Sequence, residues 1–365
     1  MSTMRLTAAI AAALLAFGMA SCGSDDSDGG GDGGTSGAKL SGKIAVLLPD
    51  SKSSDRWETA DRRFFEQGFK EAGLSKDDYI ISNAEGDPAT QRNQAEQAIT
   101  SGAKVILLVN LDPGSGAAII DDAKSQGVTM IDYDRLTVGG NADYYVSGDA
   151  TEAGRLQAEG LIEDLKGKGS ARIAILYGAP TDSFATDLKK GNTEVLKSKG
   201  KNIDVAAEQA VPNWDGQKAL TIYEQMLQAS NEDFDGTLAA NDTLANATIA
   251  ARKSRKLSVV PTSGLDATVE ALQHILAGEQ SFTVYFSIKD QATKAAKLAV
   301  QVARGEDPTG LNAKVDNETR KVPTILLKPL TIRKDNIGDT VIADDFASWD
   351  DVCVGAYERY CPKNR

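Results

Sequence analysis

The stretch Met-Ile-Asp-Tyr-Asp-Arg at residues 130–135 is a short apolar run that ends on an acidic and a basic side chain. Residues 128–131 predict a buried strand, which places Asp134 and Arg135 at its carboxyl end, where open α/β sheets bind their ligands. A carboxylate and a guanidinium can together bond adjacent hydroxyls of a sugar, and charged partners make such hydrogen bonds strong. An ion pair on a surface loop would need the same residues, so the interpretation depends on the side chains at the ends of the other strands.

Strand and helix patterns alternate along the chain from residue 43. Short apolar runs predict strands at residues 43–48, 104–109, 128–131, 172–177, 236–240, 257–260 and 282–285. Helical patterns lie between them at residues 55–72, 89–100, 151–165, 215–229 and 266–277. The alternation is typical of right-handed βαβ units in open parallel sheets. Because the units are too many for one small sheet, we predict an α/β fold with two doubly wound halves and a crossing near residues 145–150.

Polar and aromatic side chains follow the predicted strands in both halves. They come after the first, fourth, fifth and sixth strands, and Trp214 lies in a loop before a helix. We expect them to line a cleft for a small polar ligand, with aromatic faces against its C–H surfaces. Asx residues after strands also cap helices, and capping alone would account for Asn241, Asp242 and Asp266.

Taken together, these residues resemble the type I periplasmic sugar-binding proteins of ABC importers, in particular the xylose-binding and multiple-monosaccharide-binding branch. The resemblance covers residues 43–334. It rests on Lys-Ser-Ser-Asp-Arg-Trp at residues 52–57, Tyr-Asp-Arg at 133–135, Gly-Ala-Pro-Thr-Asp at 178–182, Trp214, Ala-Asn-Asp at 240–242, Ser-Gly-Leu-Asp at 263–266 and Thr-Val-Tyr at 283–285. It implies two Rossmann-like lobes with a ligand cleft between them, which close on a sugar by a hinge motion.

Three crossings, also implied by the resemblance, would pass the chain back and forth between the lobes. We place the N-terminal lobe at residues 42–147 plus 282–322. The C-terminal lobe takes residues 148–281 plus 323–365. Each lobe would thus be built from two separate stretches of sequence.

Position by position, the resemblance implies a site drawn from both lobes. Asp134 and Arg135 match the pair that holds sugar hydroxyls. Asn241 and Asp266 match hydroxyl ligands of the other lobe, and Trp214 matches an aromatic wall. The implied ligand is a monosaccharide, xylose or a similar pentose or hexose.

The remaining site positions include two departures from the family pattern. Arg56 and Trp57 match the end of the first loop motif. The family has asparagines after Gly-Ala-Pro-Thr-Asp, where this chain has Ser183 and Phe184, and a lysine after Thr-Val-Tyr, where this chain has Phe286. Phenyl rings remove hydrogen bonds and add apolar wall, so we predict that Phe184 and Phe286 favour a guest with fewer polar groups on that side.

The N-terminus has the features of a secretory signal peptide. Residues 1–21 hold one basic residue and an apolar run too short for a membrane span. Met-Ala-Ser-Cys at residues 19–22 resembles the bacterial lipobox, in which the cysteine, here Cys22, is acylated. Residues 22–41, rich in glycine and aspartate, predict a flexible linker. We predict a lipoprotein on the extracellular face of the cytoplasmic membrane, held there by lipid alone, or in the periplasm if an outer membrane is present.

The other two cysteines lie near the C-terminus. If Cys22 carries lipid, Cys353 and Cys361 remain as a pair in an oxidising compartment, and a disulfide is expected. Eight residues of continuous helix would hold their Cα atoms about 12 Å apart, beyond the roughly 7 Å that a disulfide spans. We therefore predict that residues 354–360 bend back on themselves.

Charge and composition argue against several functional classes. The formal net charge of −12 is a poor match for nucleic acid. His274 is the one histidine of the chain, which argues against a histidine-based triad or a zinc cluster. Asp132 with Asp134, or Asp121 with Asp122, could be proposed as glycosidase carboxylates, but sequence neighbours do not establish the opposed geometry of that chemistry. We predict no enzyme activity, no cofactor and no metal.

These features predict a monomeric extracellular solute-binding protein. It would capture a monosaccharide by hinge closure and deliver it to the permease of an ABC transporter. A sugar sensor that reports to a membrane-bound partner without transport would use the same lobes, and this alternative stays open.

Overall fold

The structure, a computed structural model, describes residues 39–363, so the predicted signal peptide, Cys22 and most of the predicted linker lie outside it. Its strands are β1 Lys43–Leu48, β2 Tyr79–Asn83, β3 Ala103–Leu108, β4 Thr129–Tyr133, β5 Tyr144–Gly148, β6 Ala171–Tyr177, β7 Ile203–Ala210, β8 Gly236–Ala239, β9 Thr283–Tyr285, β10 Ala313–Asp316, β11 Lys321–Leu327 and β12 Leu330–Ile332. Its α-helices are α1 Arg62–Glu71, α2 Pro88–Thr100, α3 Pro113–Ser125, α4 Ala150–Asp164, α5 Ser183–Lys199, α6 Gly216–Ala229, α7 Asp242–Ser254, α8 Val269–Ala277, α9 Ile288–Ala303 and α10 Trp349–Val352. Short π-helical turns lie at Trp57–Asp61 and Gly338–Ile342, and 3₁₀ helices at Pro212–Trp214 and Gly355–Tyr360. None of the helices in this part of the chain has the length and apolar character needed to cross a membrane.

The first lobe is built on a seven-stranded sheet in the order β10-β11-β5-β4-β3-β1-β2, parallel except for β10. Alternate residues of β1 are buried on opposite faces. Ile44, Val46 and Leu48 join the core formed with α1 and α9, whereas Ala45 and Leu47 join the core formed with α2 and α3. Helices thus cover both faces, as in other parallel sheets with helical crossovers.

The second lobe is built on the parallel sheet β7-β6-β8. Its helices α4 and α5 approach each other closely at two glycines. A Cβ on Gly154 would lie 2.1 Å from the carbonyl oxygen of Leu188, and one on Gly191 would lie 1.9 Å from that of Thr151. Only a residue without a side chain permits this contact between backbones.

The chain passes between the lobes after β5, after β9 and after β11. The N–H of Asp149, just after β5, donates to the carbonyl oxygen of Leu327 at the end of β11 (2.9 Å), which ties two crossings together. The predicted boundary between residues 322 and 323 falls inside β11, which continues in the first sheet. The predicted boundary at residue 282 falls before β9, which pairs with β12 and bridges Leu265. Strand pairing therefore places both crossings a few residues later than the sequence suggested.

Local structure differs from the sequence prediction at several places. Residues 257–260 form no strand, because the backbone reaches the edge of the second sheet only at Thr262. The predicted first helix is divided into the π-helical turn Trp57–Asp61 and α1. Helix α8 begins at Val269, since Asp266 has a positive φ of 100° and lies outside the helix.

The C-terminal tail packs against α8. Cys353 and Cys361 are joined as a disulfide with their Cα atoms 6.0 Å apart, and the 3₁₀ helix between them turns the chain back. Gln273 Nε2 on α8 donates to the carbonyl oxygen of Val352 (3.0 Å). The tail is thereby attached to the helix that follows Asp266.

Candidate ligand-binding site

A cavity lies between the two lobes, beyond the carboxyl ends of β1, β4, β6 and β8. The first lobe contributes Ser53, Ser54, Arg56, Trp57, Asp134 and Arg135, and the second contributes Asp182, Phe184, Trp214, Asn241, Leu265 and Asp266. Every predicted site residue except Phe286 lines this cavity. The structure therefore brings together side chains that lie far apart in the sequence.

Arg56 is held in place by a buried carboxylate that the sequence prediction missed. Its Nε and Nη2 donate to the two oxygens of Asp61 at 2.9 and 3.0 Å. Asp61 is fully buried and also accepts from Tyr133 Oη at 2.6 Å. The π-helical turn between them has i to i+5 spacing, which places residue 61 against residue 56. Burial alone would lower the pKa of Arg56, but the carboxylates of Asp61 and Asp134 raise it, so the guanidinium stays charged.

Asp134 is oriented by contacts on both its backbone and its carboxylate. Its carbonyl oxygen accepts from Tyr145 Oη (2.8 Å) and Ser147 Oγ (2.7 Å). Oδ2 lies 3.2 Å from Arg56 Nη1 and accepts from Gln291 Nε2 at 3.1 Å. These contacts hold the residue at a φ of 65°, in the left-handed region, which few non-glycine residues adopt and which aspartate adopts more readily than most.

Asp134 and Arg135 do not pair with each other. The Nε of Arg135 lies 3.0 Å from Asp182 Oδ2 in the other lobe. Both side chains are buried, so the surface ion-pair alternative does not describe them. Asp182 also caps α5 through the N–H of Phe184 (2.9 Å), so this carboxylate anchors one lobe to the other.

Further hydrogen bonds cross the cleft and hold it closed. Ser54 Oγ donates to Asp266 Oδ2 (2.9 Å), and Asn241 Nδ2 donates to the carbonyl oxygen of Ser53 (3.1 Å). Asn241 also caps α7 by accepting from Leu244 N at 3.0 Å. The helix-cap alternative is therefore correct for Asn241, but it does not exclude a place in the cavity.

Two tryptophan rings form aromatic walls. Trp57 Nε1 donates to Ser53 Oγ (3.1 Å) and Trp214 Nε1 donates to Asp182 Oδ2 (3.0 Å). Because the protein satisfies both indole N–H groups, the rings contribute their faces to the cavity. The Trp214 ring packs against Gly178, where a Cβ atom would lie 2.2 Å from the ring.

The cavity has an excess of acidic groups. Its lining holds two arginines and the carboxyl groups of Asp134, Asp182 and Asp266. Burial raises the pKa of Asp266 to about 7, an effect that Arg56 and Ser54 oppose. Within residues 39–363, no group of three or more histidine, cysteine, aspartate or glutamate side chains is arranged to hold a metal ion.

The cavity lining also includes Ser53, Ser54, Asp182 and Leu265, which were not among the predicted site residues although each lies within a motif of the family resemblance. Asp61 and Gln291, which lie behind the cavity on helices, were not predicted either. Phe286 was predicted as a site residue but does not line the cavity, because it is buried behind Phe184. Ser183 donates to the carbonyl oxygen of Leu136 across the cleft (2.8 Å).

The sequence matches the model of the periplasmic binding protein domain family over residues 44–307. The chain belongs to this family. It is 33% identical over 308 residues to the D-xylose-binding periplasmic protein of Escherichia coli (strain K12), which covers 83% of this chain and 90% of that protein. It is 28% identical to the multiple sugar-binding periplasmic receptor ChvE of Rhizobium radiobacter, which covers 81% of this chain and 88% of that protein.

Solved structures agree with this assignment. A carbohydrate transporter solute-binding protein from Chloroflexus aurantiacus in complex with D-glucose matches with a TM-score of 0.77 and 25% identity, over 84% of this chain and 97% of that chain. The predictions of the family and of the type I periplasmic binding protein fold are therefore confirmed.

Proposed function

We propose that this periplasmic binding protein captures a monosaccharide, xylose or a similar pentose or hexose, and delivers it to the permease of an ABC transporter. The observation that carries the proposal is the convergence of two arginines, three aspartates, an asparagine and two tryptophans on one cavity between the lobes. Such groups bond hydroxyls and cover C–H surfaces. The names of the relatives, D-xylose-binding and multiple sugar-binding, support the same ligand class.

The charged residues of the cavity would bond the hydroxyl groups of the sugar. Asp134 and Asp266 would accept hydroxyl protons, while Arg56 and Arg135 would donate to hydroxyl oxygens. The hydrogen bonds between the lobes, such as Ser54 to Asp266 at 2.9 Å, would stabilise the closed state around the sugar. The protein acts by binding and release, without catalysis.

We also propose that Cys22 is acylated and that residues 22–41 tether a monomeric binding protein to the outer face of the cytoplasmic membrane. A Cys22→Ser variant should then appear in the soluble fraction. An unchanged membrane fraction would contradict lipid anchoring and leave sugar binding untouched.

Thermal unfolding of the protein from Lys39 onward, against a panel of pentoses, hexoses and deoxy sugars, tests the proposed function. A sugar that binds only the folded state raises the unfolding midpoint. At a sugar concentration of one hundred times the dissociation constant, the free energy of unfolding rises by about 2.7 kcal/mol. Asp134→Ala should abolish the rise. The matched control Asp122→Ala should keep it, because the Asp122 carboxylate pairs with an exposed arginine on the surface. No rise with any sugar would refute monosaccharide binding.

A further inference from the structure

One wall of the cavity is apolar and is formed by Phe184, in the first turn of α5. Its N–H donates to Asp182 Oδ1 at 2.9 Å. Asp182 Oδ2 lies 3.0 Å from both Arg135 Nε and Trp214 Nε1. The protein therefore engages both oxygens of the carboxylate beside Phe184, and the ring itself can neither donate nor accept a conventional hydrogen bond.

Phe286 supports this wall from behind. The two rings lie edge to face, with centroids 6.0 Å apart and planes at 85°, an arrangement that aromatic pairs prefer. Phe286 is 2% exposed and has no place in the cavity lining. Its ring fits because residue 148 is glycine, where a Cβ would lie 2.4 Å from two ring atoms.

The position of Phe286 gives this wall a fixed frame. Gly148 ends β5 and Phe286 follows β9, so the two residues belong to two different crossings between the lobes. Phe184 belongs to the second lobe and packs on Phe286. The wall is thus assembled from three chain segments, and Phe184 has little freedom to turn away from a guest.

Arg56, Asp134 and Asp266, which could bond sugar hydroxyls, form one cluster, whereas Arg135 is paired with Asp182 beside Phe184. Arg56 Nη1 lies 3.2 Å from Asp134 Oδ2 and 3.8 Å from Asp266 Oδ1. A sugar that places its hydroxyls on this cluster leaves another edge for Phe184. A hydroxyl on that edge would be buried without a partner.

We infer that the cavity selects sugars whose edge at Phe184 is apolar, which deepens the proposed function and rests on it. Pentopyranoses present a ring methylene and deoxy sugars a methyl group, whereas hexopyranoses present a hydroxymethyl group. An unpaired buried hydroxyl should weaken binding by about 5- to 150-fold. Phe286 is a specificity-determining residue that acts through Phe184 without touching the sugar.

Calorimetric titration with matched sugars tests this inference. D-xylose should bind more tightly than D-glucose, and D-fucose more tightly than D-galactose, each by at least about 5-fold. Phe184→Asn supplies an amide that can bond the hydroxymethyl group. It should therefore reduce or reverse both affinity ratios, that of D-xylose to D-glucose and that of D-fucose to D-galactose. Phe286→Leu should narrow them, since it removes the ring edge that holds Phe184. The control Phe234→Leu alters a buried phenylalanine of the same lobe that contacts Tyr223, and should leave the ratios unchanged.

The outcomes separate the inference from the function on which it rests. Equal or tighter binding of the hydroxymethyl sugars by the wild-type protein would overturn the selectivity and leave monosaccharide capture standing. Binding of none of the four sugars, nor of any other monosaccharide, would overturn the proposed function itself. The wild-type comparison decides the selectivity even if Phe184→Asn fails to fold.

Discussion

Replacing Asp61 by asparagine should destabilise the protein far more than an ordinary helix substitution. Asp61 is fully buried, and its oxygens accept from Arg56 Nε at 2.9 Å and Nη2 at 3.0 Å. An asparagine amide would point N–H groups at a guanidinium that has no acceptor to offer. Tyr133 Oη, which also bonds this carboxylate at 2.6 Å, would compete for the one remaining oxygen.

The expected loss follows from these contacts. Removing one partner of a buried ion pair costs about 3 to 5 kcal/mol. Arg56 keeps Asp134 at 3.2 Å, which offsets part of this loss. We therefore expect Asp61→Asn to lower the free energy of unfolding by about 3 kcal/mol, measured by urea denaturation without sugar. Sugar affinity should fall as well, because Arg56 loses the partner that orients it.

The same π-helical turn supplies a matched control. Glu58 pairs with Arg62 at 2.6 Å, but these side chains are 35% and 29% exposed. Such a pair contributes less than about 1 kcal/mol, so Glu58→Gln should be nearly neutral and should leave sugar affinity unchanged. Equal effects of the two substitutions, or a loss below about 1 kcal/mol for Asp61→Asn, would refute the buried pair as the support of Arg56.

Three other predictions concern stability. Burial raises the pKa of Asp242 from 3.8 to about 8. The contribution of this carboxyl group to the free energy of unfolding is therefore present at low pH and is lost as pH rises from about 4 to about 8. Across this range, urea denaturation should show a weaker pH dependence of stability in Asp242→Asn than in the wild-type protein. Gly191→Ala should lower stability by at least about 2 kcal/mol in thermal unfolding, because its Cβ would strike a backbone oxygen, whereas Gly169→Ala, which meets no atom within 4 Å, should not. Reducing the bond between Cys353 and Cys361, or replacing both by serine, should lower the free energy of unfolding by about 2 to 3 kcal/mol. An unchanged urea midpoint would contradict a stabilising role of this disulfide.

The sequence predicted the cavity well where the site follows directly from strand order. Asp134, Arg135 and Asn241 come just after parallel strands, and the carboxyl ends of such strands meet at one edge of a sheet. That rule depends on local patterns and topology alone. The family resemblance then assigned roles to individual residues, such as that of an aromatic wall to Trp214.

The partners of these residues depended on packing that a linear pattern does not contain. Asp61 and Gln291 lie on helices, outside the motifs, and reach the site only through the way those helices pack on the first sheet. Arg135 was placed beside Asp134, yet its partner is Asp182, 47 positions away in the other lobe.

Strand predictions failed where local composition and final pairing disagree. Residues 257–260 are apolar enough for a buried strand, yet Val259 is 58% exposed and the segment joins none of the sheets in the described part of the chain. Strand β7, Ile203–Ala210, was not predicted. It is a half-exposed edge strand, and its polar residues do not form the apolar run that indicates a buried strand. Both cases show tertiary context overriding the local pattern.

Tryptophan fluorescence is the most direct test that a sugar occupies the cavity between the lobes. The chain has three tryptophans, of which Trp57 and Trp214 line the cavity, while Trp349 lies in α10. In a Trp349→Phe variant, all tryptophan emission would come from the two cavity rings. We predict a saturable change in this emission on titration with D-xylose or another monosaccharide, and its loss in Asp134→Ala. A folded Trp349→Phe variant whose emission changes with none of the tested pentoses, hexoses and deoxy sugars would contradict sugar binding in this cavity.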